Sequence, residues 1–256
     1  ASADMKTFEA IEVEREEGVA TIAFNRPASM NSIVPQMLRE FEDCMAEFAA
    51  DPSVEVVILT GRGRNFCAGL DVDMLKQHGA EAISGFNPSK TIAEWPGPVI
   101  AAVQGAVATG GFEITVACDI IIAAESARFV DTHSRVGLLP GWGLSARLHR
   151  AIGIYRAKEL ELTGRALHAR EASDWGLVNK VVPDRDLLDS ARAMARLILA
   201  GAPRMAAQTK ALIDGNSLRT LEGALEFERQ LAEEANTGLS SGDLQFGHVG
   251  GSKPKS

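Results

Sequence analysis

A pair of glycines just ahead of a single carboxylate is the segment of this chain best suited to chemistry. Gly110 and Gly111 precede Glu113, and the residues that follow are otherwise apolar (FEITVAC). The pattern predicts a helix that begins at the glycines, so its first N–H groups point outward and suit a developing oxyanion. Two interpretations of Glu113 follow: a surface carboxylate that satisfies the helix dipole, or a buried general acid or base with a shifted pKa.

The loop Phe66–Asp71 (FCAGLD) is a candidate for a second backbone donor, because it follows a predicted strand and contains a glycine. The alternative is a simple turn in which Asp71 caps a short helix at 72–75. A nucleophilic role for Cys67 is a weaker hypothesis, since the sequence places no basic residue beside it to generate a thiolate.

His133 lies in a polar segment (FVDTHSR) that is predicted to be a loop after a strand. A lone histidine in such a loop is typical of a surface residue, although its pKa near 6.5 also allows proton exchange at neutral pH. Trp142 follows Gly141, and it either shapes a substrate site or fills a packing space.

The segment Gly61-Arg62-Gly63 after an apolar run suggests a dinucleotide-binding loop, but the third glycine of that motif would fall on Phe66. A bulky side chain there prevents close packing of helix on strand, and no glycine loop in the chain is followed by Lys-Ser or Lys-Thr. Both common nucleotide-binding motifs are therefore excluded.

Hydrophobic patterning predicts the elements that position these residues. Two strands flank a turn at Glu17–Gly18 within residues 9–24, and apolar residues recur at helical spacing from Pro35 to about Ala49. Nearly continuous apolar runs, typical of parallel strands buried on both faces, occur at Val54–Thr60, Val99–Val103 and Asp119–Ala124. The recurrence of strand, glycine-containing loop and helix predicts an α/β fold. Three helices are predicted beyond this core, at about 184–200, 203–213 and 218–235.

The composition of the chain argues against several classes of binding partner and binding site. The 256 residues carry a formal net charge of -8, which disfavours nucleic acid and anionic lipid as partners. Three widely spaced cysteines without a CxxC motif, and five dispersed histidines without an HExxH motif, argue against disulfides and metal sites. The chain has no apolar run near 20 residues, and its first residues lack the basic and apolar regions of a signal peptide, so we expect a cytoplasmic protein.

Several of these segments together resemble the crotonase family, the enoyl-CoA hydratase/isomerase superfamily. The resemblance runs in family order from about residue 8 to residue 215. The segments that carry it are Phe24-Asn-Arg-Pro with Met30-Asn31, Phe66–Asp71, Gly105 with Thr109–Glu113 and Ala117–Ile120, Ala127–Phe129 with Val136–Pro140, and Ala172–Pro183.

The resemblance implies a spiral of ββα units at 1–195, followed by a helical region at 196–256 that assembles trimers or hexamers. It implies that the backbone N–H groups of Leu70 and Gly110 form an oxyanion hole for an acyl-CoA thioester, with Glu113 as the first catalytic glutamate. Contacts with the CoA part of the substrate are assigned to Ala28, Met30, Ala68, Asp71 and Val72. No metal, nicotinamide or flavin is implied, because CoA arrives as part of the substrate.

One position departs from the hydratase pattern, since His133 stands where the second catalytic glutamate is expected. The best-supported activity is still addition of water to a trans-2-enoyl-CoA, with Glu113 as acid/base and His133 assisting or shaping the acyl pocket. Gly141 replaces the nucleophilic aspartate of the aryl-CoA dehalogenases, and isomerases with one glutamate keep it at position 133, so both branches are disfavoured. Another acyl-CoA reaction such as hydrolysis, or acyl-CoA binding without turnover, remain the alternatives.

Overall fold

A computed structural model describes residues 8–202 and 204–240, and its centre is a six-stranded sheet in the order β1-β2-β3-β4-β6-β9. Its first two strands are antiparallel and every other neighbouring pair is parallel. The strands are β1 Ile11–Glu16, β2 Val19–Phe24, β3 Val56–Gly61, β4 Val99–Val103, β6 Ile120–Ala124 and β9 Lys180–Val182. These findings confirm the predicted α/β class and the predicted strands.

The turn between β1 and β2 lies where the sequence placed it. Glu17 and Gly18 both have positive φ angles, 46° and 85°. Two consecutive residues in that region give a turn whose twist matches the right-handed twist of a hairpin, and glycine adopts it without strain.

A second, smaller sheet contains β5 Ala106–Ala108, β7 Arg128–Val130 and β8 Leu167–His168. The chain runs from β4 to β5 into one helix, and from β6 to β7 into another, so a ββα unit occurs twice. Because β5 and β7 pair in parallel, with Ala108 opposite Val130, the helices that follow them start side by side. This repeat confirms the expected crotonase-type spiral.

The described residues also form helices. They are α1 Pro35–Ala50, α2 Val72–His78, α3 Pro88–Glu94, α4 Gly110–Ala117, α5 His133–Val136, α6 Leu144–Ile152, α7 Ile154–Thr163, α8 Ala169–Asp174, α9 Leu187–Leu199, α10 Met205–Ser217 and α11 Leu221–Asn236. None of the helices in the described part of the chain is long and apolar enough to cross a membrane.

The packing of α1 shows why this segment is a helix. Pro35 occupies its first turn, where a missing N–H costs nothing, and one face is fully apolar. The ring of Phe41 on that face lies 6.2 Å from the ring of Phe24 on β2. Burying each such side chain stabilises the fold by about 1.5–3 kcal/mol. The buried residues of the helix are Met37, Leu38, Phe41, Cys44, Met45 and Phe48.

The chain divides between Ala195 and Arg196 into two compact units. The first unit contains both sheets, and the second contains α10 and α11, which pack on each other as a helical pair. The three helices predicted at the end of the chain are therefore present, the second ending four residues later and the third one residue later than predicted. A role of the second unit in assembly stays a prediction.

Candidate active site

Glu113 lies in the first turn of α4 and is only 2% exposed, so the surface interpretation of this residue is wrong. The helix starts abruptly because Thr109, the residue before it, has a φ of 51°. Such a conformation is strained for a β-branched residue. Thr109 is held there by a backbone bond to the Val130 carbonyl and by a 2.7 Å bond between its hydroxyl and that of Thr132.

The carboxylate of Glu113 is anchored on one side only. Its Oε1 accepts hydrogen bonds from the backbone N–H groups of Trp142, at 2.7 Å, and Leu144, at 3.4 Å. Burial raises the pKa of Glu113 above its usual value, and the two N–H donors and His133 oppose that shift only in part. A carboxyl group of this kind exchanges protons close to neutral pH more readily than an exposed one does.

His133 is 5% exposed, so the expectation of a surface histidine is wrong as well. It starts the four-residue helix α5 directly after β7, and β7 pairs with the strand that precedes α4. Its Nε2 lies 3.6 Å from Glu113 Oε2. The two groups that the sequence separates by twenty positions therefore face each other in the interior.

The distance between His133 Nε2 and Glu113 Oε2 determines what this pair can bind. A separation of 3.6 Å exceeds hydrogen-bond length, yet one water oxygen about 2.8 Å from each atom fits beside the line that joins them. The pair can therefore hold one water, or one reacting group, between an imidazole and a carboxylate.

The loop Phe66–Asp71 is braced against β5. Cys67 N–H donates to Ala106 O and Cys67 O accepts from Ala108 N–H, which sets the loop directly beside the start of α4. Gly69 has a φ of 89°, and a Cβ there would stand 3.0 Å from Ala108 O, so only glycine suits this position.

Two backbone donors remain available near this junction. In the described residues, neither the N–H of Leu70 nor that of Gly110 meets an acceptor from the protein. Both groups stand where the sequence resemblance places an oxyanion hole. Their role stays a prediction, because no bound group tests it.

Cys67 is unsuited to nucleophilic chemistry. Its side chain is fully buried, and burial raises the pKa of its thiol to about 12. It packs so closely on the start of α4 that a Cβ at Gly111 would lie 2.6 Å from its carbonyl oxygen. Its role in the site is packing.

The residues assigned to CoA contacts lie along one exposed edge of the same loop. Ala28 and Met30 are exposed, Ala68 N–H donates to Met30 O, and Val72 is 61% exposed. These four residues are accessible to a ligand that approaches the loop from outside.

Asp71 differs from them, because its carboxylate is already occupied. Its Oδ1 accepts from the N–H groups of Asp73 and Met74 at the start of α2, as the N-cap interpretation predicts. Its Oδ2 accepts from Ser32 Oγ and from the Arg26 guanidinium. The bond from Met74, followed by those from Ser32 and Arg26, holds the pKa of Asp71 below its usual value. The carboxylate of Asp71 therefore links the start of α2 to Ser32 and Arg26.

Sequence reasoning missed two residues that organise the site. Asp131 lies 2.6 Å from His133 Nδ1 and is 1% exposed. The fully buried Asn31 accepts from Arg26 N–H and donates to the carbonyls of Arg62 and Asn65. Asn31 thereby ties the turn after β2 to the loop after β3. The only signal available in the sequence was the spacing of Asp131 and His133, two residues apart.

Comparisons with known proteins show the family of this chain. The family model described as enoyl-CoA hydratase/isomerase matches residues 14–244. The probable peroxisomal enoyl-CoA hydratase 1 of Arabidopsis thaliana is 36% identical over 233 residues, covering 90% of this chain and 88% of the relative. The 1,2-epoxyphenylacetyl-CoA isomerase of Escherichia coli is 34% identical over 223 residues, covering 84% and 85%.

Among solved structures, the chain is similar to an enoyl-CoA hydratase from Bacillus anthracis. The TM-score is 0.83 and the sequence identity 35%, over 88% of this chain and 90% of that one.

Proposed function

Because the chain belongs to the enoyl-CoA hydratase/isomerase family, which acts on acyl-CoA substrates, we propose that it is a hydratase that adds water to a trans-2-enoyl-CoA. The observation that supports this most directly is the buried pair of Glu113 Oε2 and His133 Nε2, 3.6 Å apart, with Glu113 in the same helix turn as the unbonded N–H of Gly110. A site that holds a water next to an anion-binding position suits addition of that water to a conjugated thioester.

In the proposed mechanism the thioester oxygen accepts hydrogen bonds from the N–H groups of Leu70 and Gly110. Negative charge develops on that oxygen as water attacks the β-carbon, so the donors bind the transition state more tightly than the substrate. One such donor contributes about 10²–10³-fold to the rate.

Glu113 acts as the acid/base in this proposal, and His133 assists it. Glu113 Oε2 takes a proton from the water as the C–O bond forms, and the electron pair of the double bond moves into the thioester enolate. The protonated Glu113 then gives this proton to the α-carbon of the enolate, which restores the carboxylate and completes the addition of water across the double bond. Positioned acid–base groups contribute about 10²–10⁴-fold.

The test is the loss of the conjugated enoyl-thioester absorbance when the purified protein meets short- and long-chain trans-2-enoyl-CoA. We expect turnover in the wild type, loss of about 10²–10⁴-fold in Glu113→Gln, and slower turnover or altered chain-length preference in His133→Ala. A fully active Glu113→Gln variant would contradict the proposal.

Two other activities are outcomes of the same test. One relative is named an isomerase, so a double-bond shift or another rearrangement without uptake of water would favour that branch. Tight binding of acyl-CoA without turnover would identify an acyl-CoA-binding protein instead. Product analysis by mass separates hydration, which adds the mass of water, from isomerisation, which leaves the mass unchanged.

We further propose that the CoA part of the substrate lies along Ala28, Met30, Ala68 and Val72, with Asp71 bracing that edge. No metal or redox cofactor is required, because the backbone donors and the Glu113–His133 pair supply the charge stabilisation and proton transfer. Activity that survives dialysis against a chelator would agree with this.

A homotrimer or a hexamer is the assembly we propose. Several large apolar side chains of the second unit are exposed, and such a surface is typical of a contact with another protein. They include Met205, Ile213, Leu218, Leu221 and Leu225. Light scattering coupled to gel filtration gives the mass of the particle and decides between a monomer, a trimer and a hexamer.

We propose a cytoplasmic location from the pattern of the cysteines. The three cysteines of the chain are widely spaced and form no CxxC motif, which fits a reducing compartment. The net charge of -8 disfavours nucleic acid as a partner, and a salt-dependent nanomolar affinity for RNA would contradict that view.

A further inference from the structure

Asp131 determines which nitrogen of His133 faces Glu113. Its Oδ1 lies 2.6 Å from His133 Nδ1 and accepts the backbone N–H of the same residue at 3.0 Å. A carboxylate accepts hydrogen bonds and donates none. The ring hydrogen of neutral His133 therefore sits on Nδ1, and Nε2 keeps a lone pair.

The surroundings hold the ring in this orientation. His133 and Asp131 are 5% and 1% exposed, and Ser134 Oγ ties α5 to the Glu161 carbonyl of α7 at 3.0 Å. Nε2 then faces Glu113 Oε2 at 3.6 Å, a separation at which two acceptors confront each other without a hydrogen bond between them.

Two facing acceptors orient a water in one way. The water donates one hydrogen to Glu113 Oε2 and the other to His133 Nε2, and a lone pair on its oxygen is left free for the β-carbon. A histidine with hydrogen on Nε2 would act as a donor at this position, and the water would turn its lone pair toward the ring instead.

We propose that Asp131 is a positioning residue that lets His133 accept a hydrogen bond from the reacting water, in place of a second carboxylate. The inference rests on the proposed hydration. It explains how the site keeps two acceptors around one water although only one of them is a glutamate.

The tautomer of His133 is measured directly by ¹⁵N NMR of histidine-labelled protein above neutral pH, with His133→Ala identifying its signals. We expect hydrogen on Nδ1 in the wild type, and a shift of population toward Nε2–H in Asp131→Ala. Hydrogen on Nε2 in the wild type would overturn the inference.

Kinetics of Asp131→Ala and Asp131→Asn separate this role from a structural one. The asparagine keeps an Oδ1 that accepts both the backbone N–H and the ring Nδ1–H of His133, so it preserves the tautomer although the negative charge is lost, whereas the alanine removes the acceptor. We expect kcat of Asp131→Ala to fall by roughly 10²–10⁴-fold, the range of a positioned acid–base group, and Asp131→Asn to keep most of its kcat, with KM changed little in both because the CoA edge is untouched.

The matched control is Asp184→Ala. The carboxylate of Asp184 also accepts a backbone N–H and a hydroxyl, both from Ser126, but these bonds lie at the surface. Unchanged kinetics in this control are expected, and equal losses in Asp131→Ala and Asp184→Ala would overturn the inference. Thermal melts of both variants show whether a loss of activity is only a loss of folded protein.

The proposed hydration and the proposed role of Asp131 can be contradicted independently of each other. A wild type that hydrates no enoyl-CoA, yet carries hydrogen on Nδ1 of His133, would contradict the proposed function and leave the Asp131 pairing supported. An active hydratase whose Asp131→Ala variant keeps full kcat would overturn the role of Asp131 alone.

Discussion

The backbone N–H of Trp142 donates a 2.7 Å hydrogen bond to Oε1 of Glu113. One carboxylate oxygen is thereby fixed by a group that no side-chain substitution removes, and Oε2 is left to face His133. The indole of Trp142 adds a second restraint, because its Nε1 donates to Phe86 O at 2.9 Å and its ring packs against Gly110. The position of the Glu113 carboxylate is therefore set by the loop before α6 as much as by α4.

The first prediction concerns stability. Glu113→Gln should raise the free energy of unfolding at neutral pH, because burial raises the pKa of this carboxyl group and its ionised form is costly in the fold. A group whose pKa is raised on folding loses stability as pH rises from its unfolded value, near 4.5, through its folded value. Each 1 kcal/mol gained should raise Tm by about 2–4 °C.

Melting curves of both proteins between pH 4 and pH 8 measure this effect. The advantage of Glu113→Gln should be absent at the acid end and grow toward neutrality. A variant that is less stable than the wild type at every pH would show that the ionised carboxylate stabilises the fold.

The second prediction concerns the contact between α4 and the loop Phe66–Asp71. Gly111→Ala should cost about 1–3 kcal/mol of stability, since its Cβ would stand 2.6 Å from the Cys67 carbonyl oxygen, a backbone atom that cannot move aside. The resulting shift separates the proposed donors Leu70 and Gly110, so kcat/KM should fall by about 10²–10³-fold.

Gly141→Ala is its control. A Cβ at Gly141 meets nothing within 4 Å, so stability should stay within about 0.5 kcal/mol of the wild type. Equal behaviour of the two alanine variants in denaturant titrations and enoyl-CoA assays would refute the packing argument.

The third prediction concerns Cys67. With a thiol pKa raised to about 12 by burial, it should not react with a disulfide reagent in the native protein at pH 8, and should react fully after denaturation. Cys67→Ala should retain activity within about tenfold and lose about 1 kcal/mol of stability. Inactivation that follows modification of Cys67 in the folded protein would reopen the nucleophile hypothesis.

The fourth prediction concerns Asp71. Asp71→Ala should cost about 0.5–2 kcal/mol, because α2 loses its N-cap and the loop loses its link to Ser32 and Arg26. Asp71→Asn keeps an oxygen for the helix N–H groups and should lose less. If Asp71 braces the CoA edge, KM for acyl-CoA should rise in the alanine variant more than in the asparagine variant, and the reverse order would show a direct role of the charge.

Sequence patterning predicts the fold well where burial is one-sided or complete. β3, β4 and β6 are continuous apolar runs and α1 has a clear apolar stripe, so the sequence alone predicts these elements. α3 was missed because its seven residues are too few to show a period. Its start was nevertheless signalled, since Asn87 caps it and Pro88 occupies its first turn.

The site was predictable only in its parts. Glu113 and His133 can be named as candidates from the chain, but their burial depends on the pairing of β5 with β7, which no local pattern expresses. For the same reason a lone histidine in a polar segment, typical of the surface, is an interior residue here. Trp142 acts through its backbone, so its residue type carries no signal of the bond it makes.

β5 and β7 pair in parallel, with Ala108 opposite Val130, and this pairing positions the backbone of both Glu113 and His133. Thr109 N–H donates to Val130 O and the hydroxyls of Thr109 and Thr132 are bonded, so the segments before Glu113 and before His133 are joined without the side chains of Glu113 and His133. A change of side chain at position 133 leaves that frame intact. The residue that faces Glu113 can therefore be exchanged without a change in the surrounding backbone. Position 133 is for this reason the natural place from which this scaffold diversifies or is redesigned.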